Sequence, residues 1–132
     1  MNTMHDYILP IAGLSIGYHD FEYDIDDKFF DNFEFSEVKK GNVKVNLNVE
    51  KHEREFVLTF RFAGNVLIPC DRCNDEYEQS IENDVVIYLK YGHSYEEESD
   101  DVIVIPSEEG EFDVSSLIYE YIILSLPIHR VH

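Results

Sequence analysis

Cys70 and Cys73 are the only cysteines in the chain, set in Ile68-Pro69-Cys70-Asp71-Arg72-Cys73-Asn74. Thiols at this spacing can share a metal ion, cycle as a dithiol, or pack a turn. Zinc usually takes four nitrogen or sulfur ligands, and one Cys-x-x-Cys supplies two. The chain has no second such pair, so histidines must complete the set: His129 and His132 near the end, or His93 in an acidic stretch. Cys70, Cys73 and His132 are the candidate metal ligands, a set still one group short of closure, and zinc is the candidate cofactor. A redox dithiol needs its first cysteine at a helix N-terminus, where the dipole favours the thiolate. Here Asn74-Asp75-Glu76-Tyr77-Glu78 leads into residues that alternate with a period of two. Carboxylates crowd the motif with only Arg72 against them, so redox catalysis is not expected. A turn held by packing alone is the simpler alternative to metal.

The second chemical feature is charge. The net charge is −18, from 28 acidic and 10 basic residues. Such a surface repels nucleic acid and anionic lipid and attracts basic proteins. Against this background Lys39, Lys40, Lys44, Lys51 and Arg54 gather half of the positive charge into one window. Together with Arg72 they are the candidate residues for an RNA or partner contact. Lysines on the solvent side of a strand are the plainer reading of the same pattern. No Gly-rich phosphate loop, nucleophile elbow, zinc-protease helix or calcium loop is present, and nothing nominates a catalytic residue or a small-molecule substrate.

The elements that would position these residues follow from the apolar pattern. Val43, Val45, Leu47 and Val49 alternate with polar residues, as do Phe56, Leu58, Phe60 and Phe62. Both runs predict half-buried strands joined as a hairpin through Glu50 to Glu55. Gly64-Asn65 reads as a turn into Val66-Leu67-Ile68. Beyond the cysteines, Tyr77, Ile81, Val85, Ile87, Leu89 and Tyr91 share one parity, with Gln79 and Asn83 as polar exceptions. This predicts one long strand, or two with a break near Asn83. Tyr7 to Ile11 and Phe21, Tyr23 and Ile25 read as short strands, and Asp26-Asp27 as the cap of a short helix carrying Phe29, Phe30 and Phe33. Glu96, Glu97, Glu98, Asp100 and Asp101 predict a solvated, mobile loop with no site of its own. Val102 to Ile105 reads as a further strand. Asp113 reads as the N-cap of a helix with Val114, Leu117, Ile118, Tyr121 and Ile122 on its apolar face, ended by Pro127.

The expected fold is therefore α+β: a mainly antiparallel β meander, a short N-terminal helix, and a C-terminal helix packed on the sheet. One domain spans 1–132, with a less regular N-terminal part at 1–38, the meander and its cysteine hairpin at 39–91, the acidic loop at 92–101 and the helix at 113–126. At 132 residues, 44% hydrophobic with nine Tyr and nine Phe, the chain can bury a real core. No apolar run approaches the ~20 residues of a membrane span. The N-terminus lacks a basic start and an apolar h-region, so a cytoplasmic protein with reduced cysteines is expected.

Taken together, Cys70-Asp71-Arg72-Cys73, Tyr77, the strand to Tyr91, the acidic stretch, Gly110-Glu111-Phe112-Asp113 and Glu120-x-Ile122-Ile123-Leu124-x-Leu126-Pro127-x-x-x-x-His132 resemble the YceD family. These bacterial and plastid proteins are tied to accumulation of large-subunit ribosomal RNA. The resemblance covers roughly 40–132 in order and spacing. It implies a role in processing or assembly of that RNA and no known catalytic activity. It also implies a Cys, Cys, His, Cys zinc set, of which this sequence, ending at His132, holds the first three. The expected partners are large-subunit rRNA or a basic ribosomal protein, with no membrane and no small-molecule substrate. A zinc-stabilised interaction module unrelated to ribosomes is the alternative.

Overall fold

In the computed structural model the described residues are 7–34 and 36–127. Four strands, β2 (Gly17–Ile25), β3 (Lys40–Lys51), β4 (Glu55–Pro69) and β5 (Glu76–Gly92), run antiparallel as successive neighbours. The predicted alternation positions them. Tyr23, Val45, Phe62 and Asn83 lie opposite one another across the four strands. One parity therefore lines a single face, and Val43, Val45, Leu47, Val49, Phe56, Leu58, Phe60, Ile81, Ile87 and Leu89 are all buried there. The opposite face carries the polar residues together with the exposed Tyr18, Val86 and Tyr88, and has no covering layer among the described residues.

Gly64 and Asn65 do not turn the chain. β4 continues through them to Pro69, and Gly64 pairs with Val43 on one side and Ile81 on the other. A Cβ on Gly64 would lie 2.1 Å from the carbonyl oxygen of Asn42 and 2.6 Å from Val43 Cα. The glycine is there because two backbones approach closely, the usual meaning of glycine inside a strand. β5 likewise runs unbroken for 17 residues. Its polar exception Asn83 faces inward and donates from Nδ2 to Ser125 Oγ at 3.0 Å, which ties the sheet to the end of the C-terminal helix.

The meander gives way after β5. Among the described residues the sheet has six strands in the order β2-β3-β4-β5-β7-β6, where β6 is Glu96–Ser99 and β7 (Val102–Pro106) runs parallel to β5. The sheet is therefore mixed rather than a pure antiparallel meander. Ile103, Val104 and Ile105 are all buried, so β7 presents apolar side chains to both faces, the pattern of an interior rather than an edge strand. The acidic segment before it supplies the outer neighbour. Glu96–Ser99 forms β6, antiparallel to β7 at the sheet edge. The expected 92–101 loop thus contains a strand. Its four exposed side chains suit an edge, where charge blocks pairing with another chain.

Two short strands, β1 (Ile8–Leu9) and β8 (Phe112–Asp113), pair separately and bring the two ends of the described chain together. Between β1 and β2, Ile11–Gly13 makes a 3-10 turn. The expected N-terminal helix is a single turn, α1 (Asp27–Phe30), whose Asp26 carboxylate accepts the Lys28 N–H at 3.1 Å. The C-terminal helix α2 (Ser115–Leu124) begins two residues later than expected. Asp113 is the last residue of β8, yet its carboxylate accepts the Ser115 N–H at 2.8 Å and so still satisfies one free donor of the first turn. Ile118 and Ile122 enter the core beneath the sheet face. Phe33 stacks on Tyr119 at 4.0 Å with the rings 7° apart, joining the α1 segment to α2. Among the described residues, no helix is long and apolar enough to cross a membrane.

Candidate functional site

The cysteine motif forms the turn between β4 and β5. Even-numbered residues of β4 point into the core through Val66 and Ile68, and Cys70 continues that parity, 3% exposed. Its N–H donates to the Asp75 carbonyl at 2.8 Å, and its carbonyl accepts the Asn74 N–H at 2.9 Å. Asn74 closes the turn at φ 63°, a left-handed conformation that asparagine tolerates better than most residues. Cys73 stands exposed at the tip. The two cysteines therefore differ in burial, Cys70 at the core margin and Cys73 at the exposed tip.

A zinc site would draw two ligands from this turn. Among the described residues, no group of three or more His, Cys, Asp or Glu side chains is arranged to hold a metal ion. His93 follows Gly92 at the far end of β5, about 50 Å along the strand from the turn at 3.3 Å per residue. It cannot join the cysteines. His129 and His132 lie outside the described residues. The described part of the chain thus offers two of four ligands, which does not make a closed zinc site.

The six cations do not form one strip. Lys40 and Lys44 project from the outer face of β3 at the end near the cysteine turn, Lys40 pairing with Leu67 in register. Arg72 is exposed in the turn itself, and Lys39 sits beside Lys40 with Nζ 3.4 Å from the Glu34 carbonyl. Lys51 and Arg54 lie at the other end of β3, about 37 Å away along the strand. Lys51 is engaged inside the fold. Its Nζ donates to the carbonyls of Ile11, at 2.9 Å, and Leu14, and lies 5.6 Å above the Phe56 ring. It pins the 3-10 turn to the sheet and is withdrawn from any external strip. Acids also interleave the remaining cations: Asp24 pairs with Lys44 in register, and Lys40 shares the lining of a shallow cavity of about 360 Å³ with Asp27 and Glu78.

A second concavity lies away from every residue that the sequence singles out for a site. The acidic edge strand β6, together with β7 and α2, encloses a groove of about 580 Å³. Ile103, Leu117 and Leu124 line its apolar part, and Glu97, Asp100 and Glu120 its rim. Leu124 is 65% exposed. The Tyr121 hydroxyl donates to the Asp100 carbonyl at 3.3 Å and holds the acidic segment against the helix. Burial raises the Tyr121 phenol above its usual range, and Glu120, Asp100, Asp101 and Glu97 raise it further. Tyr95 is shifted the same way, by burial and then by Glu97 and Glu120. The one sequence signal for this groove was Leu124, an apolar residue in the same turn of the helix as the buried Ile122 but on the opposite face.

The model of the family described as Large ribosomal RNA subunit accumulation protein YceD matches residues 58–132. No curated protein and no solved structure matches the chain. The matched part takes in most of β4, the cysteine turn, β5, the groove and α2. With more than half its length matched, the chain belongs to the YceD family.

Proposed function

We propose that the protein is a non-enzymatic assembly factor in the cytoplasm that sustains accumulation of large-subunit rRNA by contacting a basic ribosomal protein. Contact with the rRNA itself is local and salt-sensitive in this reading. The observation that carries it is the placement of charge within the family-matched part. From Leu58 to Pro127 the only lysines and arginines are Arg61, Arg72 and Lys90. Arg61 lies 3.8 Å from Asp84 and Lys90 lies 3.4 Å from Glu98. Arg72 is flanked in sequence by Asp71 and Asp75. RNA binding draws its affinity from phosphates neutralised by Lys and Arg. This surface has almost none to spare, whereas a lysine-rich ribosomal protein meets it with the opposite sign. Lys39, Lys40 and Arg72, gathered near the cysteine turn, are the place where a local RNA contact fits best.

The test is the ratio of large- to small-subunit rRNA in cells depleted of the protein and then resupplied. A selective fall in the large-subunit RNA, restored by the wild-type chain, is the expected result. An unchanged ratio under verified depletion would sink the ribosomal role. Purified protein should also retain ribosomal proteins at low salt in preference to rRNA fragments, and the reverse preference would overturn the proposed partner.

A further inference from the structure

We propose that the groove between β6, β7 and α2 docks a lysine- or arginine-rich segment of the partner, seating one of its apolar side chains on Leu124 between cations that meet Glu97, Asp100 and Glu120. The proposal rests on the basic-protein reading above and assigns that contact to one surface. Three observations select the occupant. The floor is apolar, with Leu124 left 65% exposed on a helix whose Ile118 and Ile122 are buried. A large aliphatic side chain in water beside a concavity gains by being covered. The charged side chains at the rim, Glu97, Asp100 and Glu120, are all carboxylates, and among the described residues no lysine or arginine lines the groove. That excludes nucleic acid and anionic lipid and selects cations. The walls are held in place, since β6 is hydrogen-bonded to β7 and Tyr121 binds the Asp100 backbone. The central depression on the open face of the sheet differs in charge: Asp20 and Glu22 share it with Arg61, beside Phe21, Leu47, Asn46, Asn48 and Thr59.

The experiment uses the full chain and two fluorescein-labelled synthetic peptides, one with leucines each flanked by lysines and one with every leucine replaced by serine. Binding is read by fluorescence anisotropy. The wild type should prefer the leucine peptide, and Leu124→Ser should remove the preference. The pair Glu97→Lys and Glu120→Lys should weaken both peptides about tenfold. The pair Asp20→Lys and Glu22→Lys, which changes the net charge equally but lies on the open sheet face, should change them less than about twofold. All four carboxylates and Leu124 are exposed, and circular dichroism melts check that each variant folds. Equal losses from the two charge reversals, or equal binding of the two peptides by the wild type, would overturn the proposal. A parallel capture of purified large-subunit proteins separates the two readings. If the wild type retains them and the groove variant retains them equally, the groove is wrong and the assembly role stands. If the wild type retains none, both fall.

Discussion

At the scale of single residues, burial divides what the motif makes look equal. Cys70 and Cys73 are one Cys-x-x-Cys in sequence, but strand parity carries Cys70 into the core margin and leaves Cys73 in solvent. Cys70→Ser should destabilise by about 1–3 kcal/mol, because it places a hydroxyl where little water reaches. Cys73→Ser should stay within about 0.5 kcal/mol. Urea unfolding of both variants, with and without a chelator, checks this. Equal costs that vanish together on chelation would mean a metal shared by both thiols, against the environments described. Gly64→Ala should cost about 2–3 kcal/mol, since its methyl group meets backbone of β3 at 2.1 and 2.6 Å and neither atom can rotate away. Gly13→Ala, with nothing within 4 Å of the added carbon, is the neutral control. Gly64 also shows where local reading fails. A Gly-Asn pair is a turn signal on its own, and only the parity shared by Phe62, Val66 and Ile68 across it betrays a continuous strand. Lys51 teaches the same lesson. Its charge was visible in sequence, but the carbonyls of Ile11 and Leu14 that absorb it come from 37 to 40 positions earlier.

At the scale of elements, the regular hairpins were legible and the insertion was not. β3, β4 and β5 announce themselves because one face is buried and the other wet, which writes the period of two directly into the residue types. β6 and β7 break that pattern in opposite ways: one is exposed on every residue and the other is apolar on both faces. Neither alternates, and their crossover places β7 inside β6, an order no local window contains. The helix α2 was legible from Val114 to Ile122, but the groove beside it was not, because its other wall is the segment that read as a loop. Beside the packing of Ile118 and Ile122, the Asn83 to Ser125 hydrogen bond ties α2 to the sheet, with Ser125 Oγ donating in turn to the Tyr121 carbonyl at 2.6 Å. In a double-mutant cycle, Asn83→Ala and Ser125→Ala should couple by about 0.5–1 kcal/mol. Additive effects in urea unfolding would mean that apolar packing of Ile118 and Ile122 alone fixes the helix.

At the scale of the whole molecule, the net charge of −18 acts on both folding and binding, and salt separates the two. Two ion pairs between Lys or Arg and carboxylates occur among the described residues, Arg61 with Asp84 and Lys90 with Glu98, with side chains between 40% and 73% exposed. Pairs of this kind are worth about 0–1 kcal/mol each, too little to balance self-repulsion across so acidic a body. Screening shrinks from about 30 Å at 0.01 M salt to about 3 Å at 1 M. The urea midpoint should therefore rise with sodium chloride, while affinity for the lysine-leucine peptide falls over the same range. The two halves of the groove should also part company. At low salt Glu97→Lys with Glu120→Lys should be the damaging change, because charge dominates the encounter. Near 1 M salt that variant should bind like the wild type, and Leu124→Ser should account for what affinity is left, since burial of an aliphatic side chain does not fade with screening. A midpoint that falls with salt would show that the surface carboxylates are held by ion pairing after all, and the case for a cationic partner would lose its physical basis.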